Sequence, residues 1–134
     1  MDDEGSPSLV DRLDDLRHDL GKYLRLPLAF LPPGAPEPEV RQAVSDGLFA
    51  TRRQGQQVRT ARAMWEAFWG DLPGSIRSSG ALRALGESVE RALAWEKRLD
   101  DPEPIDRALA WRDLNGVGDA IGRCLETVAR EELG

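Results

Sequence analysis

The segment best suited to chemistry in this sequence surrounds its one histidine, and reads LRHDLGKYL at positions 16–24. At 100° per residue, His18 lies roughly opposite the leucine stripe of its predicted helix, so we expect the imidazole to face solvent. Gly21 is small enough to admit the acyl phosphate of a partner, and the Lys22 cation would offset charge on a transferred phosphoryl group. Asp19 could orient or deprotonate a nearby imidazole. These residue types predict His18 as a phosphoryl acceptor, with Asp19 and Lys22 assisting it.

The same segment resembles histidine phosphotransfer domains, which carry H-x-L-K-G on a helix of a four-helix bundle. This chain has H-D-L-G-K, with Gly21 and Lys22 transposed. It is also similar to the dimerisation helix of sensor kinases, in which an acidic residue follows the histidine, although Lys22 and Tyr23 replace the usual Thr or Asn and the usual Pro. Because no ATP-binding domain fits in the remaining residues, the resemblance implies phosphotransfer and not autophosphorylation.

A second resemblance is to HD-type phosphohydrolases, whose H-D-[IL]-G-K string is present letter for letter from His18 to Lys22. In that family the His-Asp pair binds a metal together with further histidines, which this sequence does not contain. The resemblance therefore implies at most a degenerate phosphohydrolase. An ordinary exposed helical histidine is the simpler alternative, and we expect no metal site and no cofactor.

A glycine-rich segment, LNGVGDAIGRCL at positions 114–125, resembles the second half of a helix-hairpin-helix element. In such elements a turn of glycine, an apolar residue and glycine contacts DNA phosphate through its backbone N–H groups. The resemblance therefore implies that Gly116 and Gly118 would contact nucleic acid here, with Arg123 close by. Asp119 and the net charge of −6 oppose phosphate binding. Nucleic acid is thus the less favoured partner, and a simple turn between two packed helices is the favoured alternative.

Charge is distributed unevenly along the chain. Residues 1–20 contain seven carboxylates and two arginines, whereas residues 47–65 contain no carboxylate. The arginines of this second window are Arg52, Arg53, Arg59 and Arg62. They would bind an acidic partner surface or a phosphate, or else face the acidic first helix within the fold or across a homodimer. Around His18, the residues expected to contact a partner are Asp15, Gly21 and Arg25.

The elements that must position these residues are helices, because the apolar residues recur at steps of three and four. The first is expected from Ser8 to Arg25, with a break or kink at Pro27. Others are expected from Glu37 to Gln54-Gly55, from Val58 to Leu72, over 82–99, over 105–114 and from Gly116 onwards, with no strand. The sequence therefore predicts an all-α fold, a compact bundle of five or six helices. Its expected core includes Leu13, Leu16, Leu20, Val44, Trp65, Val89, Leu93, Ile121 and Leu125.

Composition limits the classes of protein that remain. The chain has 134 residues, which fits one domain at 8–134 preceded by a flexible acidic segment at 1–7. A single cysteine excludes an internal disulfide, and no apolar stretch approaches the ~20 residues that cross a bilayer. The acidic start predicts a cytoplasmic protein. We therefore expect a small, non-catalytic signalling or adaptor domain that binds a partner protein, such as a receiver domain.

Overall fold

The leucine stripe near the start of the chain forms one helical rod that contains a π-helical turn. Its three parts are α1 (Leu9–Leu16), a π segment (Arg17–Gly21) and α2 (Lys22–Ala29). The Ser8 hydroxyl caps the rod by accepting the backbone N–H of Asp11 at 3.1 Å. The expected break at Pro27 is wrong, since Pro27 lies inside α2. Proline has no backbone N–H, so Pro27 removes one hydrogen bond from the helix. Leu24 and Leu28 on either side of it are both buried, and their packing compensates for that loss.

The computed structural model of the chain describes residues 8–49, 52–54 and 57–133; at 52–54, 57–58 and 132–133 this description covers the backbone alone. The expected flexible segment 1–7 lies outside it. The elements after α2 are α3 (Glu37–Phe49), β1 (Arg52–Gln54), β2 (Gln57–Arg59), α4 (Ala61–Gly70), α5 (Gly74–Arg77), α6 (Gly80–Leu93), α7 (Trp95–Arg98) and α8 (Arg107–Leu133). The predicted all-α helical bundle is confirmed.

A short hairpin corrects two expectations about the middle of the chain. The helix predicted to reach Gln54-Gly55 ends at Phe49, and β1 and β2 follow as an antiparallel pair in which Arg52 faces Arg59. The next helix begins at Ala61 and not at Val58, because Thr60 caps it by accepting the Ala63 N–H at 3.2 Å. The hairpin, with two strands of three residues each, is therefore an exception to the expectation of no strands.

The largest correction concerns the glycine-rich segment near the end of the chain. Two helices joined by a turn at Gly116 were expected there, but α8 runs without interruption for 27 residues. Leu114, Val117 and Ile121 are all fully buried on one face of α8. Burying that face outweighs the ~1 kcal/mol that each helical glycine costs relative to alanine. The turn that would have held DNA phosphate is not formed.

The core lies where α8 packs along α6 and against the N-terminal rod, with α3 covering α2. Eight of the nine predicted core residues are buried, and Leu125 is half-buried against the same cluster. Tryptophans divide between core and surface: Trp65 and Trp95 are buried, whereas Trp111 keeps 37% of its surface exposed. The core fixes how the rod and α8 face each other, and that relation positions the candidate site.

Candidate functional site: the His18 groove

His18 lies in the π segment with its ring directed away from the core. Its side chain is 67% exposed, which agrees with the solvent-facing position predicted from the helical stripe. The Nδ1 atom is 3.0 Å from the backbone carbonyl oxygen of Asp14. A carbonyl oxygen can only accept, so Nδ1 carries the hydrogen and, in the neutral ring, Nε2 carries the free lone pair. The fold thus selects the imidazole tautomer in which the outer nitrogen is nucleophilic.

The exposed histidine stands at the edge of a groove of about 560 Å³ between the rod and α8. We call it the His18 groove; it is lined by Arg17, His18, Gly21, Lys22 and Arg25 from the rod and by Asn115, Gly118 and Asp119 from α8. The rod residues recur at steps of three and four, as do those of α8, so each helix contributes one face. The two motifs singled out in the sequence therefore meet at one site.

Two glycines form the floor of the groove, where the backbones of the rod and α8 approach closely. A Cβ atom built on Gly21 would lie 3.0 Å from the Cα of Gly118. Gly21 is buried in the floor of the groove, where its lack of a side chain permits the two helices to pack closely; its expected role as the small residue beside a partner's phosphate stays a prediction. Gly118 lies opposite Gly21 on α8, where an added Cβ would meet only the Gly21 Cα at 4.0 Å, and the groove opens above this crossing.

The groove carries an excess of positive charge. Arg17, Lys22 and Arg25 line it together with a single carboxylate, Asp119. None of the ion pairs within the described part of the chain includes any of these three cations. Lys22 instead extends toward the Tyr23 ring, with Nζ 5.9 Å from the centroid. Cations that are left without counterions in a concave site favour an anionic ligand.

Two acidic residues expected near His18 lie elsewhere. Asp19 and Asp15 line a separate depression of about 270 Å³ against α4, with Arg59 and Asp71 in the same depression. The predicted assistance of Asp19 to the imidazole is therefore not seen; the Asp14 carbonyl orients the ring instead. The placement of Arg59 among acidic side chains favours the interpretation that the arginine window faces the acidic first helix within the fold.

The other arginines of that window do not join the groove. Arg62 donates from Nε and Nη2 to Oε1 of Glu96, at 2.9 and 2.6 Å, and lies 3.8 Å from Glu66. The hydrogen bond to Glu96 raises the pKa of Arg62 above its ordinary value. Arg62 is thus bound within the fold, at the end of a groove between α4 and α6. The backbones of Arg52 and Arg53 lie in β1, and their side chains are outside the described part of the chain.

The residues expected to contact nucleic acid are separated along α8. Gly116 lies within the helix with no atom near the position of a Cβ, and Gly118 forms the floor of the His18 groove. Arg123 lines a different depression, between α8 and α6. Because the backbone N–H groups around Gly116 and Gly118 belong to a continuous helix, they are not presented to an anion as in a helix-hairpin-helix turn.

The His18 groove also contains residues that sequence reasoning did not connect with it. Asn115, Asp119 and Arg17 are not among the residues that the sequence connects with His18. The signal in the sequence that could have connected the two motifs is that each contains a glycine, because Gly21 and Gly118 lie where the two helices cross closely. No group of three or more His, Cys, Asp and Glu side chains in the described residues is arranged to hold a metal ion. In the same residues, no helix combines the length and apolar character needed to span a membrane.

Comparisons with protein-family models, with curated proteins and with solved structures gave no match to this chain. The case for a function therefore rests on the geometry and charge of the groove.

Proposed function

We propose that this chain is a small signalling domain that binds a partner protein at the His18 groove and accepts a phosphoryl group on His18. The observation that carries the proposal is the 3.0 Å contact between Nδ1 of the exposed His18 side chain and the Asp14 carbonyl oxygen: this contact favours the tautomer that has its hydrogen on Nδ1 and its lone pair on Nε2. The phosphoryl donor would be an aspartyl phosphate in a receiver domain of the partner.

The transfer balances without an external base. The Nε2 lone pair attacks phosphorus, the N–P bond forms, and the acyl P–O bond breaks to release the partner's aspartate as a carboxylate. Nδ1 keeps its hydrogen, so the ring becomes positively charged. The Asp14 carbonyl accepts that hydrogen at 3.0 Å, and the Asp14 carboxylate lies 4.0 Å from Nδ1, where it stabilises the cation.

Three cations support the acceptor. Lys22 lies one turn after His18 on the same face, and Arg17 and Arg25 line the groove on either side. They would stabilise the negative charge on the phosphoryl oxygens while the phosphoryl group is transferred from the partner's aspartate. Each charge-assisted hydrogen bond of this type contributes ~1.5–3 kcal/mol. Loss of one cation should therefore slow transfer by about ten- to a hundredfold.

The test is incubation of the full chain with labelled, phosphorylated receiver domains from the same organism. We expect label on His18 that is stable to base and labile to acid, no label on His18→Gln, and slowed labelling of Lys22→Gln. Arg130→Gln, an exposed change near the end of α8, is the matched control and should label at the wild-type rate. Absence of label from every receiver, or equal labelling of His18→Gln, would refute the proposal.

A further inference from the structure

The His18 groove is large enough to hold a small molecule. It encloses about 560 Å³ between two helical walls, a volume within the ~300–1,000 Å³ of small-molecule sites. The side chain of His18 lies at its edge and is mostly exposed, so the interior of the groove remains accessible to a second kind of ligand. The two walls differ in chemistry, and that difference indicates what the ligand would be.

The rod wall suits a phosphate. Arg17, Lys22 and Arg25 line the rod side of the groove, and none forms an ion pair within the described residues. A phosphomonoester has up to two negative charges and three terminal acceptor oxygens, which match guanidinium and ammonium donors. The Asp119 carboxylate on the opposite wall repels a phosphate, so the phosphate must lie against the rod.

The α8 wall suits hydroxyl groups. Asn115 offers an amide that donates and accepts, and Asp119 offers a carboxylate that only accepts. Neither side chain makes a hydrogen bond with another described residue, although both line the groove. This wall is satisfied by a ligand that carries several hydroxyl donors away from its charged group. Inorganic phosphate carries only one or two O–H groups, and they belong to the anion that Asp119 repels.

We propose that the His18 groove binds a phosphorylated polyol, such as a sugar phosphate, with its phosphate on the rod wall and its hydroxyls on Asn115 and Asp119. This inference rests on the same groove as the proposed function and adds a regulatory ligand to it. Because the ligand would occupy the space beside His18, it would compete with docking of the receiver domain.

The experiment is titration of the isotopically labelled full chain with glucose 6-phosphate, inorganic phosphate and glucose, followed by two-dimensional amide NMR. We expect shifts at the groove in the order glucose 6-phosphate, then phosphate at least tenfold weaker, then glucose with no measurable effect. Lys22→Gln should weaken both phosphate-containing probes at least tenfold. Asp119→Asn should weaken glucose 6-phosphate while leaving phosphate equal or tighter, since a repelling charge has been removed. Arg130→Gln should change nothing.

The outcomes separate this inference from the phosphoryl-acceptor proposal. The two proposals have separate readouts: labelling of His18 reports on acceptance at Nε2, and the amide shifts with glucose 6-phosphate report on binding by the two walls. Equal affinity for phosphate and glucose 6-phosphate, or no shift with either probe, would overturn the polyol phosphate site. Labelling of His18 would be unaffected by that result.

Discussion

Replacement of Gly21 by alanine is expected to destabilise the fold by forcing apart the rod and α8. The new Cβ would lie 3.0 Å from the Gly118 Cα and 3.6 Å from both the Gly118 nitrogen and the Ile121 Cδ1. The shortest contact is to backbone, which cannot rotate away as the end of a side chain can. The helices must therefore move by a few tenths of an ångström along a contact that also packs Ile121 into the core.

The magnitude follows from two opposing effects. Overpacking of a well-packed contact destabilises a fold by ~1–3 kcal/mol, whereas replacing a helical glycine by alanine stabilises the helix by up to ~1 kcal/mol. The net expectation is a loss of about 1–2 kcal/mol in the free energy of unfolding. Urea denaturation followed by circular dichroism measures it, with the slope m unchanged between variants.

Two glycines on α8 provide matched controls for this experiment. A Cβ on Gly118 would meet nothing nearer than the Gly21 Cα at 4.0 Å, and one on Gly122 would meet no atom within 4 Å. Gly118→Ala and Gly122→Ala should therefore be neutral or stabilising by up to ~1 kcal/mol. If Gly21→Ala were as stable as Gly122→Ala, the close crossing described here would be wrong.

Two further predictions concern the core. Trp95→Phe removes the indole N–H that donates to Asp113 Oδ2 at 2.9 Å, and the Asp113 side chain is only 9% exposed. The free energy of unfolding, measured by urea denaturation, should therefore fall by ~1–3 kcal/mol. Trp111→Phe on the surface should cost far less, and equal losses would contradict the buried hydrogen bond. Burial raises the pKa of the Cys124 thiol to about 11, against an ordinary 9.0. Alkylation of Cys124 at pH 8 should therefore be at least about a hundredfold slower in the folded chain than in the urea-unfolded chain, because the thiolate is the reactive form. Since the unfolded thiol ionises first, Cys124 should lower stability as pH rises from 9 to 11; equal alkylation rates in the folded and unfolded chain would refute the shift.

The apolar stripes were the most predictable part of this structure. Leu13, Leu16 and Leu20 recur at helical spacing, and a helix has no other stable way to bury such a stripe than against further helices. The same geometry placed His18 opposite the stripe and therefore in solvent. These predictions succeed because they depend only on the repeat of the helix, which local sequence determines.

Predictions that depended on tertiary packing failed. A glycine can begin a turn or permit a close helix crossing, and the sequence around Gly116 and Gly118 is compatible with both. The continuous helix forms instead of a turn because one face of α8 is buried against α6 and the rod, which lie far away in the sequence. For the arginine window the sequence left two alternatives open, an outside partner or the acidic first helix, and the fold brings Arg59 beside Asp15 and Asp19 of that helix and Arg62 to Glu96. One sequence does not specify which long-range neighbour a charge will find.

The close crossing at Gly21 and Gly118 links the fold to the proposed chemistry. A side chain at position 21 would hold the helices apart, and Asn115 and Asp119 would then lie farther from Lys22 and Arg25. A π turn in the same place, marked by the Lys22 N–H bonded to the Arg17 carbonyl five residues back, holds His18 one turn above Asp14. Such turns are concentrated at functional sites because they redirect side chains at the expense of regular hydrogen bonding. Gly21 and the π turn therefore set the separation of the two walls and the direction of the histidine.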